Sequence, residues 1–101
     1  MTVNIERNQQ TVTLKVEGRL DTTTAPALEK TINEECETAA ELVLDLENLA
    51  YISSAGLRVL LGAQKKMNTR GSMKLTHVCE AVMEVLEMTG FADILVIESW
   101  N

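Results

Sequence analysis

Little in this chain is aromatic, basic or metal-seeking, and each scarcity removes a class of function. Of 101 residues only Tyr51, Phe91 and Trp100 carry aromatic rings, too few for a surface that stacks bases. Fifteen acidic side chains against nine basic ones leave a formal charge of −6, which opposes a phosphate backbone and chiefly keeps a small domain soluble. Neither nucleic acid nor a membrane is an expected partner. No apolar run approaches the roughly 20 residues that span a bilayer. The opening "MTVNIERNQQ" lacks the basic and apolar regions of a secretory signal. The two cysteines, Cys36 and Cys79, have no CxxC spacing and fall in apolar helical settings, so they read as reduced thiols in a cytoplasmic protein.

Catalytic equipment is equally thin. The one histidine, His77, lies in the stretch "MKLTHV", which reads as a strand, so a serine nucleophile has a single, poorly placed base. Ile52-Ser53-Ser54-Ala55-Gly56 is not a G-x-S-x-G elbow, because no glycine precedes the serine. No spacing suits zinc and no glycine-rich loop suits a nucleotide. The chain is expected to be no enzyme by itself, and to need neither metal nor cofactor.

What is abundant is aliphatic side chain: 46% of residues are hydrophobic, enough for one compact domain spanning 1–101. Val3 and Ile5, then Val12, Leu14 and Val16, alternate with polar residues on either side of "RNQQ", the pattern of an antiparallel hairpin. After Gly18, "RLDTTTAP" leads into a helix that Thr23 or Thr24 can cap, with Pro26 in its first turn and Leu28, Ile32 and Cys36 as its apolar stripe. "ELVLDL" suits a strand covered on both faces. A second helix carries Leu57, Val59, Leu60, Leu61 and Ala63 and ends near Gly71; "MKLTHV" is a strand. A third helix holds Val82, Val85 and Leu86 and stops at Gly90, and "DILVIE" reads as a buried closing strand. The order is β-β-α-β-α-β-α-β, an α/β fold with a mixed sheet of about five strands flanked by helices. Whether the final "ESWN" carries a short helix is left open.

In such sheets chemistry collects where strands end and helices begin. Ser53 and Ser54 stand at that junction. Serine is a preferred helix cap, which explains one hydroxyl. It leaves a second. A phosphate at a helix start would meet backbone N–H groups and the positive end of the dipole, and phosphoserine would add a charge of about −1.5 to −2. Residues alone rank the cap ahead of the modification. Asp21 in "GRLD" and Asp45 at the end of an apolar strand are the two carboxylates outside solvated helix faces, and turn chemistry accounts for both.

Three segments together, "GRLD" (18–21), "LVLDLENLAYISSAGLRVLL" (42–61) and "MTGFADIL" (88–95), resemble the STAS domain of bacterial anti-sigma factor antagonists. The resemblance covers nearly the whole chain, and the central segment carries its specificity. It implies a partner switch. The unmodified antagonist binds an anti-sigma factor that is also a serine kinase, and so releases the sigma factor. The kinase phosphorylates the antagonist and the complex separates; a PP2C-type phosphatase restores the hydroxyl. Laid on the sporulation antagonist's Asp-Ser-Ser-Gly, Gly56 matches the glycine, Ala55 the second serine and Ser54 the modified one. Ser53 stands in place of the Asp, as cap or reserve acceptor. The resemblance also implies that Asp21 and Asp45 lie beside the phosphorylation site, and that they form the partner surface with Ser53, Ala55, Gly56 and Arg58. The alternative is a STAS docking subunit without a phosphorylation cycle, in a lipid-transport ATPase complex or a stressosome-like scaffold. The latter's long additional N-terminal domain is not seen here, which favours the antagonist.

Overall fold

A computed structural model describes residues 1–98. The sheet begins with a hairpin, β1 (Thr2–Asn8) and β2 (Thr11–Leu20), joined through Gln9 and Gln10, with Gln9 at φ 59°. Its register pairs Val3 with Val16 and Ile5 with Leu14. The alternation becomes burial only in β2, whose Val12, Leu14 and Val16 are buried; β1 is an exposed edge, with Val3 half-buried and Ile5 50% exposed. Helix α1 (Ala25–Cys36) buries Ala25, Leu28, Ile32 and Cys36, the expected stripe plus one turn. Strand β3 (Glu41–Asp45) runs parallel to β2, and strand β5 (Ser72–Thr76) runs parallel to β3 on its far side. Helices α2 (Ser54–Asn68) and α3 (Glu80–Met88) complete the cover. One continuous cluster of aliphatic side chains lies between sheet and helices.

Strand β4 (Leu49–Ile52) is an addition to the expected order. It pairs in parallel with the last residues of β2, Leu20 opposite Ile52, just beyond the point where β3 lets go. Together β3 and β4 form one line along β2, broken at residues 46–48. Gly18 accommodates the break: at φ 97° it shifts the register, and its N–H donates to Asn48 O at 3.0 Å. Sequence pattern hid this strand because its two central residues, Ala50 and Tyr51, are both exposed.

The closing strand is also different. "DILVIE" enters as a 3₁₀ turn (Phe91–Asp93) and then lies beside β5 through a single parallel bridge, Leu75 to Ile97. Leu95 is buried, but Ile94 and Val96 are about half exposed, so the segment is an edge rather than a buried strand. The buried Gln64 of α2 holds it there, its Oε1 accepting from Val96 N–H at 3.2 Å. The observed order is therefore β-β-α-β-β-α-β-α. Gly90 does stop α3, at φ 81°, whereas Gly71 serves α2 by close approach. A Cβ on Gly71 would sit 2.0 Å from Ala40 O. His77 lies just past β5 in the left-handed region (φ 54°), not within the strand. The question raised by "ESWN" extends into residues 99–101, outside the described chain. Among the described residues, no helix is long and apolar enough to cross a membrane.

Candidate functional site

The parallel pairing of β2 and β4 brings two strand ends side by side, each followed at once by a helix. After Leu20 the chain enters the turn of Asp21 to Thr24 and then α1. After Ile52 it enters Ser53 and then α2. The two starts are tied together by Ser53 N–H, which donates to Leu20 O at 2.9 Å.

The α1 start is a closed knot of hydrogen bonds. Asp21 Oδ1 accepts from the Thr23 hydroxyl at 2.7 Å, Thr23 N–H at 3.0 Å and Thr24 N–H at 3.2 Å. Thr24 occupies the cap position but makes no side-chain cap bond. Its hydroxyl donates to Arg19 O at 2.9 Å and accepts from Asp21 N–H at 2.9 Å. The aspartate, rather than either threonine, therefore satisfies the free donors ahead of the helix. The Thr23 hydroxyl bond holds the Asp21 carboxyl below its ordinary value; partial desolvation opposes this, and the two backbone N–H groups and the Thr24 hydroxyl assist. Arg19 approaches the other carboxylate oxygen at 3.9 Å and lies over the Tyr51 ring, 4.2 Å from its centroid, which joins β2 to β4 across the surface.

The α2 start is open by comparison. Ser53, in extended conformation (φ −99°, ψ 176°), is the cap, and its Oγ accepts from Gly56 N–H at 3.4 Å, longer than an ordinary cap bond. The first bond of the helix proper is Leu57 N–H to Ser53 O at 2.9 Å, and with Gly56 N–H on the cap the Ser54 and Ala55 N–H groups are left at the open end. Ser54 is the first helical residue. It is exposed, and its hydroxyl makes no hydrogen bond among the described residues. The first turn of α2 has no acidic side chain, whereas α3 carries Glu80 there and α1 has the Asp21 carboxylate ahead of it. The positive end of the α2 dipole is thus the least compensated of the three.

Gly56 makes this arrangement possible. It is buried, and a Cβ would meet Leu20 Cγ at 2.7 Å and Ile52 Cγ1 at 2.9 Å, so the first turn of α2 rests directly on the two strand ends. Gly56 therefore shapes the surface from beneath; Ala55 is half-buried beside it and Arg58 is exposed.

Asp45 does not join this group. It pairs in register with Lys15, five residues before Leu20, or roughly 16 Å back along the sheet at about 3.3 Å per residue. There its Oδ1 accepts from Glu47 N–H at 3.1 Å and lies 3.2 Å from His77 Nδ1, binding the end of β3 to the turn after β5. Arg19 and Tyr51, which the sequence reading did not assign to the site, lie on the strand ends that lead into it, and Thr23, read there only as a possible cap, holds Asp21 beside them. The scarcity of aromatics was a usable signal for Tyr51. Arg19 became visible only with the β2–β4 register. Among the described residues, no group of three or more His, Cys, Asp or Glu side chains could hold a metal ion.

Comparison with known proteins bears on this geometry. The model of the STAS domain family matches residues 2–100. The anti-sigma-B factor antagonist of Bacillus subtilis (strain 168) is 29% identical over 94 residues, covering 92% of this chain and 86% of that protein. Among solved structures, an anti-sigma factor antagonist from Mycobacterium paratuberculosis superposes with a TM-score of 0.87 at 25% identity, over 95% of this chain and 83% of its own. The Bacillus cell fate determinant SpoIIAA in its phosphorylated form superposes with a TM-score of 0.75 at 17% identity, over 97% and 92%. With one family model spanning nearly the whole chain and the same fold in these structures, this chain belongs to the STAS domain family.

Proposed function

We propose that this protein is an anti-sigma factor antagonist, a single-domain cytoplasmic binding module rather than an enzyme. Its docking surface is the paired start of α1 and α2, and its switch is the hydroxyl of Ser54. The observation that carries this reading is the division between the two serines. Ser53 has its oxygen engaged at the helix cap, while Ser54 presents a free hydroxyl one residue further on. The names of the relatives and the phosphorylated state of SpoIIAA support the same assignment.

In this reading the unmodified surface docks on an anti-sigma factor that is also a serine kinase, and the sigma factor is released. Ser54 Oγ attacks the γ-phosphorus of ATP held by that kinase. The Oγ–P bond forms, the bridging P–O bond to ADP breaks, and the hydroxyl proton passes to a base on the kinase. The new phosphate stands at the open start of α2, where the backbone N–H groups and dipole tolerate it. The fold therefore survives modification. The docked partner does not, because a charge of about −1.5 to −2 now occupies a contact that had accommodated a neutral hydroxyl. A PP2C-type phosphatase restores the starting state by hydrolysis, releasing inorganic phosphate. Asp21, with Arg19 and Tyr51, forms the fixed rim of the surface beside the switch. Asp45 braces the end of β3 against the turn after β5 and contributes to docking through the strand end it holds.

Incubation with ATP and the serine-kinase anti-sigma factors of the source cell, followed by mass spectrometry, tests the assignment. One phosphate on Ser54, absent from Ser54→Ala, is the expected result. No incorporation with any kinase, together with stable binding to a transport ATPase subunit, would replace it with the docking-subunit reading.

A further inference from the structure

The charge around Ser54 is lopsided in a way the switch itself does not explain. Arg58 lies on α2 four residues after Ser54, exposed, and makes no ion pair among the described residues. Arg7, Lys15, Arg19 and Lys74 each have a carboxylate within 4 Å, whereas Lys30, Lys65, Lys66 and Arg70, like Arg58, have none among the described residues; what sets Arg58 apart is its place one turn after Ser54. The helix gives Arg58 no acidic neighbour: the positions three and four residues away in each direction are Ser54, Ala55, Leu61 and Gly62. Gly62 adds only open space on the C-terminal side, since a Cβ there would meet nothing within 4 Å. An arginine on a helix leans toward the N-terminal turn, which here is the turn of Ser54. Residues four apart on a helix have Cβ atoms about 5–6 Å apart, within easy reach of a guanidinium and a phosphate. An anion N-terminal to a cation at this spacing is also the favourable order along the dipole.

We infer that Arg58 is the built-in counter-ion of a phosphate on Ser54. The one helical neighbour able to become acidic is the one that modification makes acidic. Pairing would lay the phosphate over the first turn of α2 in a fixed position, and would withdraw the Arg58 guanidinium from the docking surface at the same moment. This inference rests on the reading of Ser54 as the acceptor, and its test is kept independent of any kinase.

The full chain is made with phosphoserine installed at position 54 during translation. The second ionisation of the phosphate, near 6 in an isolated phosphoserine, is then followed by phosphorus NMR in the Arg58 protein and in Arg58→Gln and Arg58→Lys variants. At low salt the midpoint is expected about 0.2–0.4 pH unit lower with Arg58 than with Arg58→Gln, the size of a helical ion pair. The lysine variant is expected between them, and the difference should shrink in 1 M salt. The Arg58 Nε–H resonance should move through the same titration. Coincident curves for Arg58 and Arg58→Gln at low salt, with a stationary Nε–H signal, would overturn the inference. The assignment of Ser54 as the kinase's target would stand or fall separately, on the mass-spectrometric result.

Discussion

The starts of α1 and α2 occupy neighbouring strand ends and solve the same problem differently. At α1 one carboxylate, Asp21, accepts four hydrogen bonds between 2.7 and 3.3 Å, and the hydroxyls of Thr23 and Thr24 are committed. At α2 one serine makes a single 3.4 Å bond and the next makes none. A finished cap is a poor place for a switch, since modification would have to break bonds that hold the fold. An unfinished cap can accept an anion and gain by it. The difference teaches which serine and which helix are free to change.

The largest effect should come from removing the platform under the open start. Gly56→Val would drive side-chain atoms into Leu20 and Ile52, and is expected to destabilise the fold by about 1–3 kcal/mol, read as a lower urea midpoint. The closed start comes next. Because Asp21 is held below its ordinary value, its contribution is fully present above the unfolded-state value near 4, and it fades as pH falls through the lower folded value. The gap in urea midpoint between wild type and Asp21→Asn should therefore be widest at neutral pH and close in acid. A gap independent of pH would show that the Asp21 knot does not act through the carboxylate's charge. Ser53→Ala should cost about 0.5 kcal/mol, the low end for a cap, because its bond is long. Ser54→Ala should change stability by less than about 0.5 kcal/mol, since its hydroxyl holds nothing. If Ser54→Ala proved the more damaging of the two, the roles of the serines would have to be exchanged.

Much of this was legible before the structure. The stripes of α1 and α2 follow from four-residue spacing, the hairpin from alternation, and the end of α3 from Gly90. These are local signals; burial follows them in both helices and in β2, while β1 stays exposed. What stayed hidden depends on register. Ala50 and Tyr51 do not look like strand interior until β2 is known to lie beside them. "DILVIE" has strand composition, but only one edge of β5 remains for it, so two of its apolar residues face outward. At the site, the serine pair and Asp21 were visible as residue types at a strand-to-helix junction. Asp45 looked equivalent to Asp21 in sequence, since both stand outside the solvated helix faces and suit turn chemistry. The pairing of Asp45 with Lys15 places it with His77 instead. The choice of Asp21 over Thr24 as the effective cap is a matter of hydrogen-bond geometry that composition does not encode.

The central claim is that Ser54, and not its neighbour, gates docking by charge. The most direct test measures the affinity of the serine-kinase anti-sigma factor for wild type and Ser54→Asp by calorimetry, with thermal midpoints recorded alongside. The expected result is at least about tenfold weaker binding by Ser54→Asp, a loss of about 1.4 kcal/mol, with an unchanged midpoint. Equal binding by the two proteins, both folded, would contradict the account.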